Sequence, residues 1–311
     1  MHRFENALAV VNPAARNGDG ARKAEFLRSA AASGESPFRA LSVATTQAPG
    51  HAEALAASAA GHDVLLVAGG DGVIHEAVAG LLRIPRAERP ALALLPCGNG
   101  NDFARTLGMP VDERRAIEAL STARRGAIDV GLANGEPFVQ TLSFGLDAAI
   151  AVGTHERRRR TGRTGTRLFL EEGIEQLVFH RDVYAYSLAE DGASPRDGAM
   201  LLFAVQLGPT YGGGFRICPD ADPADGLFDY CIAHPPLGLL RAASIFLKAK
   251  NGAHTGHTDV LSFGRAETLS IRFDAAPPVQ IDGEAASGRT FDVSILPREL
   301  DVLFPTEGPL A

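Results

Sequence analysis

Three glycine-bearing turns and two clusters of carboxylates are the parts of this 311-residue chain with chemistry to offer. In Ala68-Gly69-Gly70-Asp71-Gly72-Val73-Ile74-His75-Glu76 the glycines lack Cβ atoms, so the backbone can approach an anion closely. The run from Asp63 to Val67 before them reads as a buried parallel strand, and Ile74, Val78, Leu81 and Leu82 after them fall on one face of a helix. Strand, bare turn and helix N-terminus together present open N–H groups and a positive dipole end, which suits a phosphate. Asp71 would repel that phosphate unless a cation or a donor stood between them, so it points to Mg²⁺ or to a sugar hydroxyl. As a plain βα turn, the same residue would cap the helix. The spacing matches neither Gly-x-Gly-x-x-Gly nor Gly-Lys-Ser/Thr.

The strand Ala7 to Asn12 is stopped by Pro13 and followed by Ala14-Ala15-Arg16-Asn17-Gly18-Asp19-Gly20, with Arg16 placed where it could meet phosphate. The strand Ala91 to Leu95 ends in Pro96-Cys97-Gly98-Asn99-Gly100-Asn101-Asp102-Phe103-Ala104-Arg105. Downstream, Asp220, Asp222 and Asp225 crowd a proline-glycine loop, as turn residues or as hard oxygen ligands for Mg²⁺. Gln280-Ile281-Asp282-Gly283-Glu284 ends a strand in two carboxylates, either an ordinary turn or a general base with a metal-binding partner. Six arginines between Arg157 and Arg167 (157–160, 163 and 167) are either a solvated surface or a patch for anionic headgroups.

The elements that must position these groups change character along the chain. Residues 1–128 alternate strand, turn and helix, which describes a doubly wound parallel sheet with its ligands at the carboxyl ends of the strands. Residues 129–296 offer short β-rich runs, among them Phe138 to Ser143, interrupted by helical stretches near Leu168 to Phe179 and Leu237 to Lys250, and so describe a mostly antiparallel β domain. The segment 297–311, with Leu300 to Phe304, is expected to return to the first domain. The whole is α/β, with a nucleotide cleft expected between the two domains.

A net charge of −7 speaks against general affinity for nucleic acid. Three cysteines without Cys-x-x-Cys spacing fit a reducing compartment and form no metal motif. Residues Met1 to Glu5 lead directly into an apolar strand without a secretory pattern, and no apolar run is long enough to span a membrane. The expectation is a cytoplasmic protein that meets any lipid at the membrane surface; a homodimer is compatible with it.

Taken together and in order, Asn12-Pro13, Thr46 to His51, Gly69-Gly70-Asp71-Gly72 with Glu76, Leu95 to Gly98 with Asn101 to Arg105, Phe144 to Ala148, Tyr211 to Gly214, Asp225-Gly226 and Asp282-Gly283-Glu284 resemble the diacylglycerol kinase catalytic family, relatives of sphingosine and ceramide kinases. The resemblance implies transfer of the γ-phosphate of ATP to a lipid hydroxyl. It implies nucleotide contacts from Asn12, Pro13, Arg16, Thr46, Gly69, Gly70, Asp71, Gly72, Val73, His75, Gly98, Asn99 and Asp102, and an acidic network of Asp71, Asp102 and Asp129 tied to Mg²⁺. It also implies a structural Mg²⁺ bound through Asp225 with the backbone carbonyls of Asp222 and Leu227, and Glu284 or Asp282 as the base. Val73 and Asn99 stand where threonine is usual, His75 where asparagine is, and Gly18 is displaced from its usual place behind Asn12-Pro13, with Arg16 in place of the following lysine. These departures bear on the acceptor, and a kinase of a soluble acceptor, NAD-kinase-like, or a non-catalytic nucleotide-binding regulator are the alternatives.

Overall fold

The computed structural model describes residues 3–34, 36–163 and 166–310. The chain divides into two compact units, residues 1–128 with 298–311, and residues 129–297.

The first unit runs β1 (Phe4–Val11), α1 (Ala15–Ser33), β2 (Phe38–Thr45), α2 (His51–Ala57), β3 (Val64–Gly69), α3 (Asp71–Leu82), β4 (Ala91–Pro96), α4 (Asp102–Thr106) and α5 (Glu113–Thr122). Its strands pair in parallel in the order β2-β1-β3-β4. β3 and β4 are buried along their whole length, as strands covered on both faces must be. The order reverses between β1 and β3, and the glycine turns leave the carboxyl ends of β1, β3 and β4, where such sheets hold ligands. Within α1 the residues Arg16, Asn17 and Gly18 have positive φ, so a left-handed kink precedes the regular helix.

β5 (Arg124–Ala133) carries the chain into the second unit, which continues β6 (Glu136–Phe138), β7 (Thr141–Gly145), α6 (Leu146–Thr161), α7 (Thr166–Phe179), β8 (Tyr184–Glu190), β9 (Arg196–Met200), β10 (Leu202–Gln206), β11 (Phe228–Ala233), α8 (Leu239–Ala249), β12 (Leu261–Ala266), β13 (Thr268–Phe273), β14 (Val279–Ile281), β15 (Glu284–Ala286) and β16 (Thr290–Phe304). The last residues of β16 belong to the first unit, where Val302 pairs in parallel with Leu92. In the second unit one antiparallel sheet has the order β12-β11-β10-β7-β14-β15, and β13 pairs antiparallel with both β16 and β8. Alternation along β10 and β11 sends Phe203, Val205, Tyr230 and Ile232 into a core centred on Phe144, and Ala204, Cys231 and Ala233 into a second core with Phe169, Phe215 and Ile245. Phe144 meets Phe203, Phe273 and Phe291 at ring-centroid distances of 4.9–5.7 Å.

One expectation is corrected, and one helix is added to those expected. The run Phe138 to Ser143 is not one strand: it breaks at Val139 and Gln140, whose N–H groups are taken by the Asp282 carboxylate instead of a neighbouring strand. A helix unannounced by any apolar stripe, α6, carries the arginines 157–160. Gly145, with φ +76°, makes the turn into it against the Leu201 carbonyl, where a Cβ would stand 2.5 Å away.

Candidate functional site

The corners after β3 and β4 close on each other backbone to backbone. A Cβ at Gly98 would stand 2.5 Å from the Gly70 Cα, and one at Gly70 would stand 2.9 Å from the Gly98 Cα. Only glycine fits at either place. Gly69 is required for another reason: a Cβ there would lie 2.7 Å from that of Val73, the residue standing where a threonine is usual. The β4 corner is held by Asn101 (φ +53°), whose Oδ1 accepts from the Gly98 N–H at 2.6 Å while its Nδ2 donates to the Gly98 carbonyl at 3.0 Å.

The carboxylates are drawn into the same place. The Phe103 N–H donates to Asp71 Oδ1 at 3.2 Å, tying α4 to the first residue of α3. A Cβ on Gly100 would stand 2.9 Å from Asp71 Oδ2 and 2.8 Å from Asp102 Oδ2, so both oxygens face one side of that glycine. Two hard oxygens beside a helix N-terminus and bare backbone fit the way Mg²⁺ is commonly held, by one or two carboxylates together with the phosphates of its nucleotide. Asp129 belongs to the second unit, where its Oδ2 accepts from the Gly226 N–H at 2.7 Å.

Asn12 begins the first corner, with Oδ1 accepting from the Ala14 N–H and its backbone N–H donating to Ala68 O. The Pro13 carbonyl accepts from Ala21, and Arg16 is exposed in the left-handed kink. Thr46 hangs on the end of β2, where its N–H donates to Val11 O. Gly72 and Asn99 are half-buried in their turns, whereas His75 is buried on α3 instead of lying open at its first turn. The structure thus joins Gly70, Asp71, Gly98 and Asp102 by direct neighbourhood, and hangs Asn12 and Thr46 on the ends of the adjoining strands.

Sequence reasoning passed over Lys23. It is buried, and its Nζ donates to the Pro96 carbonyl at 2.7 Å, at the foot of the Gly98 corner. The available signal was a lysine in line with Ala24, Leu27 and Ala30, on the buried side of α1. Cys97 beside it is buried, and burial pushes its thiol up to about 11. Glu76 turned out to cap α2, its two oxygens accepting from the Gly50 and Ala52 N–H groups at 2.9 and 3.1 Å.

In the second unit the two carboxylates of the Asp282-Gly283-Glu284 turn differ completely. Asp282, 7% exposed and at φ +47°, accepts from the N–H groups of Val139, Gln140 and Thr141 at 2.9–3.0 Å and donates its own N–H to Thr141 O. Glu284 is exposed at the start of β15. The loop expected to hold a structural Mg²⁺ through Asp225 and the carbonyls of Asp222 and Leu227 has its carboxylates engaged by protein donors. Asp225 Oδ2 pairs with the guanidinium of Arg265, which also reaches Asp229, while Asp225 Oδ1 accepts from Leu227 N–H and Asp222 Oδ1 from Ala224 N–H. Among the described residues, no three His, Cys, Asp or Glu side chains are grouped to hold a metal. Arg265 supplies a cation to this loop.

Residues 6–133 match the family described as diacylglycerol kinase catalytic domain, and residues 140–304 match the YegS C-terminal NAD kinase beta sandwich-like domain. The chain belongs to the diacylglycerol kinase catalytic-domain family. It is 31% identical over 294 residues to a probable lipid kinase YegS-like of Pseudomonas aeruginosa, covering 92% of each chain. It is 27% identical over 246 residues to the diacylglycerol kinase of Staphylococcus saprophyticus, covering 79% of this chain and 78% of that one. The fold is shared with the crystal structure of a diacylglycerol kinase from Bacillus anthracis, at TM-score 0.75 and 21% identity over 98% of this chain and 99% of that one. Membership of this lipid-kinase family places the chain among phosphotransferases, and the glycine corners lie within the matched catalytic domain. Among the described residues, no helix is long and apolar enough to cross a membrane.

Proposed function

We propose that the chain transfers the γ-phosphate of ATP to the hydroxyl of a lipid, diacylglycerol or a close relative. The observation that carries this reading is the contact of the Gly70 and Gly98 corners, with Asp71 and Asp102 turned to one side of Gly100. Mg²⁺-ATP would supply the transferable phosphoryl group and offset the charge that builds on it. Asp71 and Asp102 are assigned to hold the cation, and the backbone N–H groups from Gly70 to Gly72, at the N-terminus of α3, to hold phosphate oxygens. Asn12, Arg16 and Thr46 are assigned to the flanks of the nucleotide. Of the two candidate bases, Glu284 is the one with a carboxylate open to a substrate, since Asp282 is occupied by three backbone donors. Phosphoryl transfer asks for alignment and charge neutralisation more than for covalent help, and these residues offer both without a nucleophile.

The test is incubation of the full chain with ATP, Mg²⁺ and, separately, micelles of diacylglycerol, phosphatidylglycerol, ceramide and sphingoid base, with products read by mass spectrometry. A phosphorylated lipid that disappears in Asp71→Ala and in Glu284→Gln is the expected result. No phosphorylated product from any lipid overturns the reading. A soluble acceptor is the second reading, because the C-terminal match is described as NAD kinase-like; an NAD arm run in parallel decides between them.

A further inference from the structure

Among the described residues nine large hydrophobic side chains are exposed, and seven of them belong to α7, α8 and the segment following α7: Ile174, Val178, Phe179, Val183, Leu239, Leu240 and Leu247. The two helices that carry most of them pack together. Gly173 of α7 packs so closely on the Phe246 ring of α8 that a Cβ would stand 2.5 Å away, and Arg181 Nη1 donates to the Leu237 carbonyl at 2.9 Å, tying the end of α7 to the start of α8. Ile174 and Val178 are one turn apart on α7; Leu240 and Leu247 are two turns apart on α8, opposite the buried Ala242, Ile245 and Ala249. At the shared corner Phe179 is 73% and Leu240 88% exposed, values at which apolar side chains this large are not parts of a core.

Basic residues predominate on the α8 side of this face, while Glu175 stands between Ile174 and Val178 on α7. His180, Arg181, Arg241, Lys248 and Lys250 border the apolar residues, and α8 itself contains no acid; Asp182 is next to Arg181, and Asp259 pairs with Arg241. The arginine run is different, because Arg157 pairs with Glu172 and Glu175, and Arg163 and Arg167 pair with Glu171. The side chain of Arg159 lies outside the described residues. Three of the six arginines of that run are thus paired with acids of α7, whereas Lys248 and Lys250 at the end of α8 have no acid on their own helix.

We infer that the outward side of α8 together with the end of α7 docks on a bilayer bearing anionic headgroups. Leucine and phenylalanine side chains enter the acyl boundary, while lysine and arginine stems reach back to phosphates, the composition of a helix that lies in a membrane interface. A second copy of the chain is the poorer occupant, because a two-fold pairing of this face would set its cations against one another. The inference deepens the lipid-kinase reading by naming the surface on which the acceptor is met, and it rests on that reading only for its purpose. Its test measures binding without ATP, so the two can fail separately.

The full chain is to be sedimented with vesicles of phosphatidylcholine alone and of phosphatidylcholine mixed with phosphatidylglycerol. Binding to the mixed vesicles is expected to fall at least about tenfold in Phe179→Ser/Leu240→Ser and in Lys248→Glu/Lys250→Glu, and to stay within about twofold in Arg163→Ser/Arg167→Ser. These positions are exposed, and unchanged circular dichroism and thermal midpoint confirm that the variants fold. Equal vesicle binding by all the variants overturns the inference. So does a face that mediates self-association, seen as a concentration-dependent sedimentation coefficient lost in Phe179→Ser/Leu240→Ser without any vesicle binding by the wild type. Vesicle binding with no lipid phosphorylation leaves the docking face standing and removes the kinase reading instead.

Discussion

Asp71 and Asp282 both stand beside a glycine at the carboxyl end of a strand, and in the sequence they look alike. In the structure Asp282 is consumed by its surroundings: its oxygens accept three backbone N–H groups, its backbone is left-handed, and the strand opposite is broken to supply the donors. Asp71 is half-buried, receives the Phe103 N–H at a longer 3.2 Å, and shares its other side with Asp102 across Gly100. A carboxylate saturated by nearby backbone builds a turn, and one paired with another carboxylate beside bare backbone is arranged for a cation. The same short motif grammar therefore serves architecture in one unit and, under the proposed function, chemistry in the other.

The sharpest way to break the comparison is to remove each side chain. Asp282→Ala orphans buried donors at roughly 1–3 kcal/mol each and leaves a left-handed residue without its support, so several kcal/mol of stability is expected to go, read as a lower urea midpoint. Asp71→Ala is expected to keep the urea midpoint and lose at least about a hundredfold in ATP-dependent turnover. If Asp282→Ala keeps its stability and loses only turnover, the two aspartates have the same role and the distinction is wrong.

A smaller effect is expected from Gly98→Ala, which probes the contact between corners without touching a carboxylate. The added Cβ meets the Gly70 Cα and Asn101 Oδ1, and local strain of about 1–3 kcal/mol corresponds to roughly a 5- to 150-fold weaker ATP affinity by calorimetry. Unchanged affinity would mean that the corners do not act together.

Much of the first unit was legible because its signals are local. Parallel strands buried on both faces are continuous apolar runs, and the glycines that follow them mark corners directly, as Gly70 and Gly98 do. The second unit was legible as a class and not in detail. Glu284 to Ala286 is too short to register as a strand, and the break at Val139-Gln140 depends on a carboxylate more than a hundred residues away. Arg265 as the cation beside Asp225 and Asp229 is another such case, since no spacing along the chain announces a partner 40 residues distant. In the site itself Asp71 and Asp102 were visible as residue types, whereas Lys23 was hidden because a lysine on the buried side of a helix reads as an interruption of the core until its carbonyl partner is known.

A third carboxylate extends the comparison to one with neither role. Asp147 is fully buried at the start of α6, accepts from the Tyr211 hydroxyl, and is pushed up to about 7 chiefly by burial, a shift that the Ser143 hydroxyl partly offsets. A carboxyl that keeps its proton to about pH 7 in the folded protein but only to 3.8 in the unfolded chain favours folding below pH 3.8, and that advantage is lost as the pH rises through 7. Its contribution changes by about 1.4 kcal/mol per pH unit inside that window. Asp147→Asn is expected to flatten the fall in urea midpoint between pH 4 and 7 and to leave the stability near pH 4 close to wild type. A fall of the same slope in the variant would mean that another group carries the titration.

The smallest effect is expected at Glu76, which stands in the same motif as Asp71. In the structure its oxygens face the Gly50 and Ala52 N–H groups, so its task is to cap α2, a helix with a left-handed glycine and no side-chain cap of its own. Glu76→Gln keeps one acceptor and gives up the charge, which costs about 0.5–1 kcal/mol and a thermal midpoint lower by roughly 1–2 °C, with turnover within about twofold of wild type. Turnover that falls far more than this at an unchanged midpoint would return Glu76 to the side of Asp71, and would show that a carboxylate engaged with backbone can still take part in the reaction.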